Sequence, residues 1–408
     1  MPVNLPEVTQ EALLPIKGIK LGIASAGIKT VGRPDLVLIE IEKGSSCSSV
    51  YTKNAFCAAP VTVAKQHQQH TTPQYCLINS GNANAGTGEQ GLQVAQNCCQ
   101  LVADLMGNQA NTVLPFSTGV IGQQLSLEKI EHALPAAIQS LECNNWFDAA
   151  HAIMTTDTLA KAVSKQIEID GVTVTITGMA KGSGMIRPDM ATMLSYIATD
   201  AAVEQSVLDE ILKNTVEQSF NRITVDGDTS TNDACVLMAS AYAANELITD
   251  INSVAGQALV QSIDEISQQL AHAIVRDGEG ATKFVAITVE QGMDTSECRQ
   301  LAYTVAHSPL VKTALFASDP NWGRILAAVG RSGLENFDLS QVSIYLDELC
   351  IVSGGEPAQD YTEQQGQQVM DQDEITIRVT LGRGHASDII WTCDFSYDYV
   401  KINAEYRT

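Results

Sequence analysis

The most reactive chemistry this sequence offers lies in Gly178–Ala201, GMAKGSGMIRPDMATMLSYIATDA. A glycine-rich run bearing Lys181, Gly182 and Gly184 leads through Pro188 to Ala191-Thr192. Small alanine before threonine is a permissive bond. On a strained backbone the Thr192 hydroxyl attacks the Ala191 carbonyl, the amide shifts to an ester, and hydrolysis frees Thr192 as a new N-terminus. Such a residue carries nucleophile and base together, because an α-amine titrates near roughly 7.7–8.0 and can activate its own hydroxyl. By residue type alone, a threonine in an apolar run is usually a satisfied core hydroxyl. Other segments must single it out.

Ser117-Thr118-Gly119, between an apolar strand and Val120-Ile121-Gly122, suits a backbone that approaches a ligand closely, though a plain glycine turn reads the same way. Glu279, between two glycines at a helix-to-strand turn, is a solvated turn residue or an inward carboxylate. Gly86-Thr87-Gly88-Glu89-Gln90-Gly91 matches G-x-G-x-x-G. The preceding strand is set off by an extra loop, however, and the second strand lacks its terminal acid, so a tight turn fits better than a dinucleotide site. The 226–233 run, DGDTSTND, lacks the glycine and glutamate of a calcium loop (Thr231 and Leu237 stand there) and reads instead as carboxylates ordering a loop near the site.

Nine segments in one order carry a resemblance that none carries alone: AAPV (58–61), NSGNANAGTG (79–88), FSTGVIG (116–122), MTTDT (154–158), KGSGMIRPDMATML (181–194), NRITVDGDTSTNDA (221–234), RDGEGATKF (276–284), DPNWGRI (319–325) and KINAEYRT (401–408). Together they resemble the ornithine acetyltransferase family of arginine biosynthesis. The resemblance implies a mixed α/β (α+β) layered sandwich of sheets and helices, cut between Ala191 and Thr192. The resulting alpha chain (1–191) and beta chain (192–408) stay together as an α2β2 assembly.

The reaction implied moves an acetyl group from N2-acetylornithine to glutamate through an acetyl-Thr192 ester. By the same resemblance Thr118 and Gly119 form the oxyanion hole and Thr155, with Thr156 close behind, contacts substrate. Lys181 neutralises a substrate carboxylate and Glu279 meets the ornithine amine. Asn403 and Thr408 of the tail bind substrate, and no metal or cofactor is needed. Some family members also take the acetyl group from acetyl-CoA. The segment GSSCSSVYTKN (44–54) departs from the family's plainer run and touches only local packing.

Several elements must position these residues. Leu36–Ile41 and Tyr75–Asn79 read as strands, and 112–116 as the strand delivering Ser117. Helices are expected at about 93–106, 126–142, 146–153, 204–220, 254–275 and 325–329. Further strands fall at 167–170, 172–176, 284–289, 341–346 and 374–381. A chain of 408 residues buries a large core in two domains or layers. With Asp+Glu 47 against Lys+Arg 24, the net charge of -23 repels phosphate backbones and anionic membranes, so no nucleic-acid or membrane partner is expected. Ten cysteines without a C-x-x-C pair argue against a zinc site and for a reducing cytoplasm. A self-cleaving N-terminal-nucleophile amidase or aminopeptidase is the alternative reading; it differs in using water, not glutamate, as acceptor.

Overall fold

The computed structural model describes residues 2–187 and 193–405. They fall into two compact units: one formed by 1–6, 222–227 and 275–408, the other by 7–221 and 228–274.

The larger unit is built on two sheets. In the first, β1 (Ile19–Ala24), β2 (Leu36–Ile41), β4 (Tyr75–Asn79) and β5 (Val113–Ser117) lie in that order. In the second the order is β3 (Ser46–Tyr51), β9 (Ala234–Ala239), β8 (Leu194–Thr199), β7 (Val172–Lys181) and β6 (Lys161–Ile169). Strand periodicity sorts the first sheet's side chains cleanly. Val37, Ile39, Ile78, Leu114 and Phe116 face the second sheet, meeting Leu194, Tyr196, Ala198, Val236 and Met238 in one apolar core. Their neighbours Leu36, Leu38, Tyr75, Leu77 and Val113 face outward onto α1 (Ala59–Gln68), α2 (Gly88–Met106) and α3 (Leu127–Gln139). Helix α4 (Trp146–Ala152) contributes Trp146 and Ala149 to the inter-sheet core.

On the far face of the second sheet lie α5 (Gln205–Gln218) and α6 (Val254–Arg276). Gly178 of β7 makes room for them, since a Cβ there would meet Ile266 and Leu270 of α6 at 3.2 and 3.1 Å. The layers therefore run helix, sheet, sheet, helix, the sandwich expected from the sequence. The β6–β7 hairpin turns on Asp170-Gly171, with φ of 51 and 79°, the Asp-Gly signature of a tight hairpin.

The smaller unit carries a six-stranded sheet: β13 (Glu356–Pro357), β12 (Leu349–Ser353), β11 (Ser343–Leu346), β14 (Glu374–Thr380), β10 (Phe284–Gly292) and β15 (Ala386–Cys393). Its core joins Val285, Ile287 and Ile377 to apolar faces of α7 (Thr295–Ala306), α8 (Pro309–Phe316), α9 (Trp322–Gly330) and α10 (Glu363–Met370). The chain's last described helix is α11 (Tyr397–Ala404). The cut expected between residues 191 and 192 falls outside the described residues. All ten cysteines are free thiols. Among the described residues no helix is long and apolar enough to cross a membrane.

Candidate active site

Strand register brings the polar residues of the larger unit to one edge of its two sheets. Lys161 at the start of β6 pairs with Ala180, and Lys181 at the end of β7 pairs with Leu194, the first residue of β8. Leu194 in turn pairs with Ala234, the first residue of β9, and the Ala234 N–H donates to the Met193 carbonyl at 2.9 Å. Two strand starts, one strand end and a third start thus converge where the chain emerges from 188–192.

The first sheet meets this edge through β5. Phe116 lies edge-to-face against Tyr196 of β8, ring centroids 5.4 Å apart. The Asn232 amide bridges the sheets, donating to Ser117 O at 2.9 Å and to Ala83 O at 2.6 Å. Thr118 is buried, and its backbone N–H is already given to Asn79 O at 2.9 Å. Its hydroxyl is what Thr118 has to offer a ligand. Gly119 has φ of 132°, and a Cβ there would lie 2.3 Å from the carbonyl carbon of Gly81. Only glycine fits this close approach.

A second cluster is centred on Asp157. Its carboxylate accepts from Lys161 Nζ at 2.6 Å, both side chains being fully buried. It also accepts from the Gly182 N–H at 2.7 Å and the Thr155 N–H at 3.0 Å. Burial pushes this carboxyl up, but the positive charges of Lys161 and Lys181 and the hydrogen bonds outweigh it and hold Asp157 well below the usual carboxylate range. Through Asp157, Thr155 and the Lys181-Gly182 turn share one anchor. Sequence reading had Thr155 and Lys181 but not the carboxylate between them; the acid inside MTTDT was its only local signal.

Asp233 is the other carboxyl of this edge, 4% exposed. Burial raises its pKa well above the ordinary value, opposed by hydrogen bonds with Ser230 and by the charge of Lys181. Among the described residues its Oδ2 has no hydrogen-bond partner. The 226–233 run therefore does order a loop at the site, through Asn232 and Asp233. Ser230 and Thr229 add carbonyl contacts from Thr52 and Asn54 at 2.9 and 3.0 Å.

The Asn79–Gly88 loop is closed on itself. Ser117 Oγ donates to Asn79 Oδ1 at 2.6 Å, the Asn84 amide donates to Gly91 O at 3.0 Å, and Thr87 Oγ1 donates to Asn84 Oδ1 at 2.8 Å. Gly88 opens α2, five residues before the expected Gln93, so four of the six residues of the G-x-G-x-x-G run are helix rather than turn. The Asn84 side chain occupies the bend where a phosphate cradle needs open backbone.

In the smaller unit Glu279 is buried and accepts from Asn403 Nδ2 of α11 at 2.8 Å. The two residues that the resemblance assigned to substrate are thus in direct contact. Ala191, Thr192 and Thr408 lie outside the described residues. Among the described residues no His, Cys, Asp and Glu cluster suits a metal ion.

The larger unit is thus an α/β sandwich of helix, sheet, sheet and helix, with buried Lys161, half-buried Lys181, two buried carboxyls and a glycine-bounded turn gathered at strand ends. The ArgJ family model matches residues 20–408. The arginine biosynthesis bifunctional protein ArgJ of Pseudomonas syringae pv. tomato is 56% identical over 397 residues, covering 97% of this chain and 98% of that protein. Its namesake from Methylococcus capsulatus is 56% identical, covering 97% of each. Among solved structures, ArgJ of Bacillus halodurans is 37% identical with a TM-score of 0.48, over 50% of this chain and 95% of that one. Ornithine acetyltransferase of Mycobacterium tuberculosis, crystallised with ornithine, is 30% identical with a TM-score of 0.40, over 46% of this chain and 99% of that one. The chain belongs to the ArgJ family.

Proposed function

We propose that this chain transfers an acetyl group from N2-acetylornithine to glutamate, yielding ornithine and N-acetylglutamate for arginine biosynthesis. The observation that supports it most is the shared strand edge: Asn232 ties the Ser117-Thr118-Gly119 turn to the start of β9, beside Met193, one residue past Thr192.

Scission between Ala191 and Thr192 gives fragments 1–191 and 192–408. The Thr192 hydroxyl passes its proton to its own α-amine, and its oxygen bonds to the acetyl carbon. Thr118 and Gly119 stabilise the resulting oxyanion, a contribution of roughly 2.7–4 kcal/mol per donor. The amine returns the proton to the departing nitrogen of ornithine, leaving an acetyl ester on Thr192. Glutamate then attacks that ester by the reverse sequence, so turnover is ping-pong. Water must be kept from the ester.

Lys181, with Thr155, binds a substrate carboxylate. Glu279 receives the ornithine side-chain ammonium, joined by Asn403 and Thr408. The Asn403–Glu279 contact suits that role, since substrate then replaces an amide donor with a charged one. The reaction calls on no metal or cofactor. Acetyl-CoA is a second donor to be tested, matching the word bifunctional in the relatives' names. The fragments associate as α2β2 in the cytoplasm. Release of ornithine that depends on added glutamate tests the reading; release that proceeds equally in water alone overturns it in favour of a hydrolase.

A further inference from the structure

We propose that Asp157 is a positioning residue for the acetyl donor and acceptor: its carboxylate ties the Thr155 backbone to the Lys181-Gly182 turn, and so sets where a substrate's own carboxylate is held. The inference rests on the acyl-transfer reading above, which gives Lys181 and Thr155 to that carboxylate. It adds the group that keeps the two in register.

Asp157 lies in the loop before β6, ahead of Lys161, whose partner across the hairpin is Ala180 of β7. Its Oδ1 accepts from Lys161 Nζ at 2.6 Å and from the Gly182 N–H at 2.7 Å, and its Oδ2 accepts from the Thr155 N–H at 3.0 Å. Strand β7 ends at Lys181, and the next N–H, on Gly182 at φ of 155°, goes to this carboxylate. Arg33 brackets the loop from its other side, donating to Met154 O at 2.7 Å. An ionised carboxylate offers acceptors alone on both branches, whereas an asparagine sets an N–H against one of these donors. Lys161 and Lys181 keep the buried group ionised by their positive charge. Stability alone does not account for the arrangement. A buried ion pair is often replaced by apolar side chains of similar volume without loss. The pair with Lys161 also uses one oxygen, and the other goes to the backbone of Thr155.

N2-acetylornithine and glutamate each carry a carboxylate one carbon from the nitrogen that loses or gains the acetyl group. Where that carboxylate sits therefore fixes where the reacting nitrogen sits, in both half-reactions. Lys181 and Thr155 come from segments far apart in the chain, and the Asp157 carboxylate is bonded to both segments. Asp157 is buried and acts through them, without touching substrate. Loosening this anchor shifts the reacting nitrogen, and a misplacement of about 1 Å costs on the order of 100-fold in rate.

The test compares wild type with Asp157→Asn and with the double variant Asp157→Asn, Lys161→Met, all in the full chain. N2-acetylornithine and its carboxamide serve as donors, and kcat, KM and the unfolding temperature are read. Wild type is expected to prefer the acid by about 10–100-fold in kcat/KM, the effect of one charge-assisted contact. In Asp157→Asn the kcat for the acid is expected to fall about 10–100-fold with KM within about fivefold, and the preference to shrink to about threefold or less. The double variant also removes the lysine left without a countercharge. Its unfolding temperature is expected to return toward that of wild type while the preference stays lost. A preference that returns with stability overturns the proposal and leaves the carboxylate a structural role. So does a double variant that fails to fold, or an Asp157→Asn with unchanged kcat and preference. A wild type that does not prefer the acid overturns the reading of Lys181 and Thr155 beneath the proposal. A wild type that prefers it, beside an Asp157→Asn that prefers it as strongly, overturns this proposal alone.

Discussion

The two groups of residues proposed above, one in each unit, are built very differently. At the strand edge of the larger unit, Thr118, Asn232 and Asp233 are buried and adjoin β5 and β9, strands whose every residue is buried, while Asp157 and Lys161 are buried just before and at the start of β6. In the smaller unit Asn403 sits on α11, an eight-residue helix with no buried residue of its own. That helix is held by its Ser396 cap, by Phe395 stacking on Tyr399 at 4.6 Å, and by the Asn403–Glu279 bond. Chemistry needs fixed dipoles in a dry setting, where electrostatic contributions are largest. Recognition of a soluble amino acid needs an element that is cheap to displace when substrate enters and leaves. The contrast predicts that lesions in the first group cost rate or stability, and lesions in the second cost affinity.

The largest expected effect is at Thr192. Thr192→Ala abolishes acetyl transfer and gives a single band on denaturing electrophoresis where wild type gives two; an active variant breaks the account of the first group. Gly119→Ala comes next. Its Cβ collides with Gly81 backbone, and the displaced turn is expected to lower kcat about 10²–10³-fold, measured in steady-state assays against circular dichroism as a fold control.

Asp157→Ala strands the Lys161 ammonium in a buried site and is expected to cost about 3–5 kcal/mol, read by urea unfolding. The pH dependence sharpens it. Because the folded carboxyl is held below its free value, its contribution is complete above a pH of about 3.9 and drains away as pH falls further. Asp157→Asn should flatten that loss between about pH 4 and pH 2 relative to wild type.

In the second group, Glu279→Gln should raise KM for N2-acetylornithine on the order of 10–100-fold with kcat changed far less, by loss of a charge-assisted bond worth about 1.5–3 kcal/mol. Asn403→Ala is smallest, a KM rise of several-fold for a neutral bond of about 1 kcal/mol. A kcat collapse in either variant would erase the proposed division between the two groups.

Local signals carried much of the fold. Asp170-Gly171 marks its hairpin, and the helical spacing of Val207, Leu208, Ile211 and Leu212 marks α5, found at Gln205–Gln218 against an expected 204–220. The 254–275 helix is observed to Arg276, while 325–329 proves to be the centre of Trp322–Gly330, whose Asn321 cap starts the helix earlier. Leu194–Thr199 escaped because a strand buried on both faces has no alternation to read. Helix α11 escaped because it has no apolar stripe, although Ser396 is an N-cap signal. For the site, residue types named the turn at Thr118 and Gly119 and the loop at 226–233. That Asp157 and Asp233 belong to the same edge depends on which strands begin and end together, a relation of pairing order that no local window contains.

The central claim is tested most directly by incubating the purified protein with N2-acetylornithine alone and weighing its fragments by mass spectrometry. The account predicts a 192–408 fragment beginning at Thr192 and carrying one acetyl group, removed when glutamate is added. An intact active chain, or a label that lands elsewhere, contradicts it.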